Sequence, residues 1–152
     1  MRAYQTPVII LPHVAPLGTE TEAIADAVTH VSLEVDTAFF QEKRVSLVAI
    51  EGVLAGAAGN LLWWVELAVA RTTTSPLYWV AIGGGGGALA GSAGLPVATT
   101  PNVLVGTGVN GARQNDQIFW TAHAQYARVV VQTPVPAAFA AWGVQALFEG
   151  LG

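Results

Sequence analysis

The chain has 152 residues, of which 53% are hydrophobic and 11% charged, with a formal net charge of −4 and no cysteine. That length suits one domain with a core of its own. Six scattered Lys and Arg residues exclude a basic nucleic-acid footprint, and the missing cysteines exclude disulfide frameworks, Cys-bearing zinc sites and thiol chemistry.

Residues 1–23 read as an extended N-terminal arm. Pro7, Pro12 and Pro16 fix φ and bar a helix. Val8, Ile9, Ile10 and Leu11 are nonetheless too apolar for a free tail, so the arm is expected to lie in a groove of its own domain or of a neighbour. That apolar run is too short for a signal peptide.

Residues 24–152 are expected to form a single all-β domain. Over 29–37 the period is two, with Val31, Leu33 and Val35 on one face and His30, Ser32, Glu34 and Asp36 on the other. Residues 44–54 are apolar on both faces, Glu51 excepted, as in a strand lying between layers or at an interface. Residues 60–71 alternate Leu61, Trp63, Val65 and Leu67 with Leu62, Trp64, Glu66 and Ala68. Trp63 and Trp64 therefore sit on opposite faces, and one of them falls outside a sandwich core. Tyr78 and Trp79 repeat the theme over 77–82.

Residues 83–111, rich in Gly, Ala, Thr and Pro, read as a long loop with a short strand near 103–105. Strand character returns over 118–131, broken near His123, and over 138–148, where Trp142, Val144, Ala146 and Phe148 face inward. A membrane helix is disfavoured. The uncharged run 77–97 holds five consecutive glycines, and the run 52–65 is shorter than the roughly 20 residues a span needs. The pattern gives an antiparallel β-sandwich, jelly-roll-like, with an extended N-terminal arm.

Catalytic motifs are weak. Gly106-Thr107-Gly108-Val109-Asn110-Gly111 matches G-x-G-x-x-G, but no helix follows to hold a pyrophosphate, so a turn-rich loop tip is expected. Ser92 lacks the first glycine of a nucleophile elbow. His13, His30 and His123 share no metal-ligand spacing, and no paired carboxylates flank a cleft. No catalytic residue, cofactor or metal is expected. The acids between residues 20 and 42 read as a solvated face.

The stronger signal is missing charge. Residues 72–112 carry no Asp, Glu, Lys or Arg, so much of this surface is expected to face another protein. Candidate interface residues are Val8, Ile9, Ile10 and Leu11 in the arm, the outward member of Trp63 and Trp64, and Trp79, with residues 83–94 as a further contact. Exposed aromatics could instead stack on sugars, as in a carbohydrate- or receptor-binding module.

A Pro-rich apolar arm, a Cys-free sandwich, a Gly/Ala/Thr-rich loop and strands such as Tyr126–Pro134 and Trp142–Phe148 together resemble small virion structural proteins of tailed phages, especially capsid decoration (cement) proteins. The resemblance implies a homotrimer on the capsid surface, bound to a major capsid or other virion protein and stabilising the shell, with no nucleic-acid or membrane partner. It also implies synthesis in the host cytoplasm without a signal peptide.

Overall fold

The computed structural model describes residues 7–12, 21–24, 29–53, 59–68, 79–82, 88–90, 96–98, 101–133 and 140–152. In chain order the strands are β1 (Val8–Leu11), β2 (Glu22–Ile24), β3 (His30–Val31), β4 (Val35–Asp36), β5 (Glu42–Val53), β6 (Leu61–Ala68) and β7 (Trp79–Ile82). They continue with β8 (Ala88–Ala90), β9 (Pro96–Ala98), β10 (Asn102–Leu104), β11 (Arg113–Trp120), β12 (Tyr126–Gln132) and β13 (Ala140–Leu151). No helix occurs among the described residues, and none is long and apolar enough to cross a membrane.

Two antiparallel sheets make a β-sandwich. The first runs β1-β13-β5-β11, with β2 also on β13. The second runs β10-β6-β12-β3, with β4 also on β12 and β7 on β6. β8 and β9 form a separate two-stranded ribbon. Toward its end the chain changes sheet at each step: β10, β11, β12 and β13 lie in the second, first, second and first sheets in turn.

Alternation explains the core. Val45, Leu47 and Ala49 of β5 and Trp142, Val144, Ala146 and Phe148 of β13 point inward from the first sheet. Leu61, Trp63, Val65 and Leu67 of β6 and Ala127, Val129 and Val131 of β12 meet them from the second. Polar bonds tie the layers. Trp63 Nε1 donates to Asp116 Oδ2 of β11 at 2.9 Å, linking one sheet to the other through the core. At one sheet edge His30 Nδ1 lies 2.7 Å from Glu22 Oε1. Lys43, almost wholly buried, donates to the Ala122 carbonyl at 3.1 Å.

Three sequence expectations are settled or changed. First, of the two places open to the arm, its own domain or a neighbour, the described part lies in its own domain: β1 and β2 are strands of the chain's own first sheet, paired with β13. Ile10 and Leu11 are core residues, while Val8 and Ile9 stay exposed. Second, residues 29–37 are not one strand. Ser32 is buried and Leu33 exposed, the reverse of the expected faces. The cause is local: Ser32 Oγ accepts from Val129 N at 2.8 Å and donates to Leu33 O at 2.9 Å, which interrupts the alternation between β3 and β4. Third, the stretch expected as a long loop over 83–111 with one short strand near 103–105 contains that strand, as β10, and also β8 and β9. Residues 83–87, 91–95 (with Ser92) and 99–100 lie outside the described residues.

The inter-sheet bond gives a test. Trp63→Phe preserves most of the ring but removes the indole donor to Asp116, and should cost about 1–3 kcal/mol of unfolding free energy in urea titration. A loss within error would mean that water serves Asp116 equally well.

Candidate functional site

On β6 the side chains of Leu62, Trp64, Glu66 and Ala68 point away from the sandwich core. Register places Arg128 of β12 and Ala81 of β7 on either side of Glu66, Val130 beside Trp64, and Trp79 beside Ala68. An outer sheet face ordinarily meets water. Here Trp64 is 2% exposed and Glu66 0%, covered by the chain itself. Trp64, Ala81 and Val130 make a second small core, with Val31 and Leu62 against it.

A buried carboxylate must be answered by donors. Glu66 Oε2 accepts from Arg128 Nε at 2.6 Å and Oε1 accepts from Trp64 Nε1 at 3.1 Å. Burial pushes the Glu66 carboxyl up; the bonds from Arg128 and Trp64 and the Arg128 charge offset this only in part, so it stays above its ordinary value. The Arg128 guanidinium carbon lies 4.0 Å from the Trp79 ring centroid. The head group is thus held at one edge by a carboxylate and on one face by an indole.

Beside it opens a cleft of about 510 Å³, lined by Val31, Ser32, Leu33, Glu34 and Arg128. Its wall is stapled in place. Ser32 N donates to Val129 O and Leu33 N to Ile10 O, both at 2.9 Å, and the Ser32 hydroxyl is committed as donor and acceptor. Among the described residues, the hydrogen bonds of Arg128 use only Nε, so its terminal N–H groups remain for whatever enters the cleft.

The structure brings two of the candidate residues, Trp64 and Trp79, into one cluster. One of Trp63 and Trp64 does lie outside the sandwich core, as expected: Trp63 fills that core, whereas Trp64 points outward but is buried in the second core rather than exposed. Trp79 is half-buried beneath Arg128. Val8, Ile9 and Leu11 pair with β13 in the first sheet, and the Ile10 carbonyl accepts from Leu33 N in the cleft wall. Sequence reasoning missed Glu66, Arg128 and the cleft over 31–34. One signal was present: an acid in β6 and a base in β12, each alone in an apolar strand. Pairing such charges across a sheet is the simplest way to bury both.

The glycine-rich motif has a structural role. Thr107 N (2.9 Å), Thr107 Oγ1 (2.7 Å) and Gly108 N (2.8 Å) all donate to the carboxylate of Glu51, itself buried on the core side of β5. Gly108 and Gly111 have φ of 76° and 83°, which lets the loop fold round that carboxylate. A Cβ at Gly106 would collide with the Gly59 backbone. The loop is an anion cradle whose anion is the chain's own Glu51. His30, expected on one face with Glu34 and Asp36, is turned to Glu22 instead. Among the described residues no group of His, Asp and Glu side chains could hold a metal ion.

No protein-family model matches the chain, and no curated protein matches its sequence. Solved structures with a similar trace include the K3 cleaved adhesin domain of Lys-gingipain from Porphyromonas gingivalis, at 10% identity and TM-score 0.41, covering 80% of this chain and 63% of that one. A family 16 carbohydrate-binding module-2 is similar at 11% identity and TM-score 0.38, covering 90% and 79%. The CBM22-1 xylan-binding domain from Paenibacillus barcinonensis Xyn10C is similar at 10% and TM-score 0.36, covering 97% and 86%.

Glu51 makes the fold acid-sensitive in a predictable sense. Burial alone would raise its pKa, but the Thr107 hydroxyl and the Thr107 and Gly108 N–H groups outweigh that and hold it below its ordinary value. A depressed carboxyl contributes stability that is complete above the unfolded-state value and lost as pH falls through the folded one. The stability gap between wild type and Glu51→Gln should therefore be widest near neutral pH and close below the ordinary carboxylate range, measured by urea unfolding at stepped pH. A gap that does not change with pH would refute this.

Proposed function

We propose that this chain is a non-catalytic binding module that takes a carbohydrate in the Arg128 cleft. The observation that carries the reading is the state of Arg128: immobilised by Glu66 and Trp79, its terminal donors uncommitted, at the edge of a cleft with apolar walls and a carboxylate, Glu34. Sugars offer hydroxyls that both donate and accept, and C–H faces that pack on aliphatic side chains. A preformed cleft with few polar groups suits them. The oxygens of the two fully buried carboxylates, Glu51 and Glu66, are committed to internal donors, which favours recognition over catalysis.

Screening the intact chain against immobilised glycans tests this. Binding should be saturable, and Arg128→Lys, which keeps the charge facing Glu66 but removes the planar fork, should weaken it by about tenfold or more. Thermal melting checks that the variant folds. No binding to any glycan would end the reading.

A second reading, a tailed-phage virion structural protein acting as a homotrimer on a capsid lattice, draws on the exposed apolar side chains of Val8, Ile9, Phe39 and Phe119. Native mass separates the two. A closed trimer without glycan binding favours the virion role, and a monomer with saturable glycan binding favours the module.

A further inference from the structure

We infer that the cleft reads the carbon face of a pyranose ring, that Leu33 is the residue this face rests on, and that a β-bulge held by Ser32 puts Leu33 there. The inference rests on the carbohydrate reading above and deepens it.

The bulge is visible in the register. Val31 of β3 pairs with Val130 of β12, and Val35 of β4 pairs with Ala127. Three residues, 32–34, therefore face two, Arg128 and Val129. An extra residue in one strand bends it and re-aims its side chains. Here that happens directly opposite Arg128. Ser32 absorbs the mismatch. Its hydroxyl accepts from Val129 N at 2.8 Å, a bond that a regular ladder gives to a backbone carbonyl, and donates to Leu33 O at 2.9 Å. Leu33 N in turn donates to Ile10 O of β1 at 2.9 Å. Both polar groups of the Leu33 backbone are thereby engaged.

The result is an apolar side chain, 44% exposed, on a backbone fixed from two sides and lining the cleft beside Val31. A platform already held in place loses little freedom when a ligand covers it. A pyranose chair suits it. The axial hydrogens on one side of the ring make a flat carbon face for Leu33 and Val31. Its equatorial hydroxyls lie at the rim of the ring, where the terminal N–H groups of Arg128 can donate to them. A furanose ring is puckered and spreads its substituents over both faces, so it covers the same platform less well. Leu33 is then a specificity-determining residue, and Ser32 a positioning residue that acts through it.

Titration calorimetry on the intact chain tests this with two sets of neutral probes. One set comprises the hexaoses of glucopyranose, xylopyranose and mannopyranose; the other is the hexaose of arabinofuranose. At least one pyranose hexaose should bind, and the arabinofuranose hexaose should be weaker by about tenfold or more. Leu33→Asn keeps the size of the side chain but not its apolar surface. It should weaken the best pyranose by about tenfold and close most of the gap. Because Leu33 is exposed this variant is expected to fold, and its melting temperature checks that. Ser32→Ala should weaken pyranose binding in the wild-type background and cause no further loss in the Leu33→Asn background. Arabinofuranose bound by wild type as tightly as the best pyranose, or pyranose affinity unchanged in Leu33→Asn, would overturn the inference and leave the carbohydrate reading standing. Additive losses from the two substitutions would overturn the positioning role of Ser32. No binding of any probe to the wild-type chain would overturn both the inference and the reading beneath it.

Discussion

Among the described residues, four charged side chains are buried in this sandwich, Lys43, Glu51, Glu66 and Arg128, and much of the remaining polar architecture answers them. Stripping water from an ion costs several kcal/mol unless partners replace it. Each of the four therefore dictates a local structure. Lys43 reaches the Ala122 carbonyl and fixes the turn between β11 and β12. Glu51 gathers the Thr107 and Gly108 donors and shapes the glycine loop. Glu66 and Arg128 answer each other, with Trp64 and Trp79 filling the space round them. The first two pin ends of the fold. The third leaves donors over, and that surplus makes it a site.

Topology explains why such a site depends on the whole sandwich. Arg128 comes from β12, Glu66 from β6, Trp79 from β7, and the cleft wall from residues 31–34. Residues 31–34 are separated from β6 in the chain by β5, and β7 from β12 by β11, both strands of the other sheet. No short stretch holds the site's geometry. Order in the site is therefore a property of the closed sandwich, and the Ser32 staple onto Val129 carries that order to the cleft rim.

The two faces of the β6 sheet show how one physical rule gives different outcomes. Inward, Trp63 packs among aliphatic side chains and uses its one donor to reach Asp116 across the core. Outward, Trp64 is equally dry but packs beside an ion pair and donates to Glu66. Both indoles satisfy the same demand, a buried N–H with a partner. One thereby ties the sheets together and the other helps to fix the carboxylate that holds Arg128.

Alternation along the chain by itself determined the all-β antiparallel sandwich and the inward set on β13, and divided β5 and β6 into two faces without saying which one meets the core, because a strand's side chains change face at every residue. It also placed Trp63 and Trp64 on opposite faces. Exposure is another matter. Whether an outer face meets water depends on what folds over it, and the burial of Trp64 and Glu66 is decided by distant segments. Likewise a serine can break an alternating run only if a remote backbone N–H, here that of Val129, is delivered to it, as happens at Ser32. A glycine-rich loop reads the same whether its donors await a phosphate or an internal carboxylate; only the closed fold delivers Glu51 to it. The pairing of Glu66 with Arg128 spans 62 residues, and the sheet register that aligns them exists only in the folded chain.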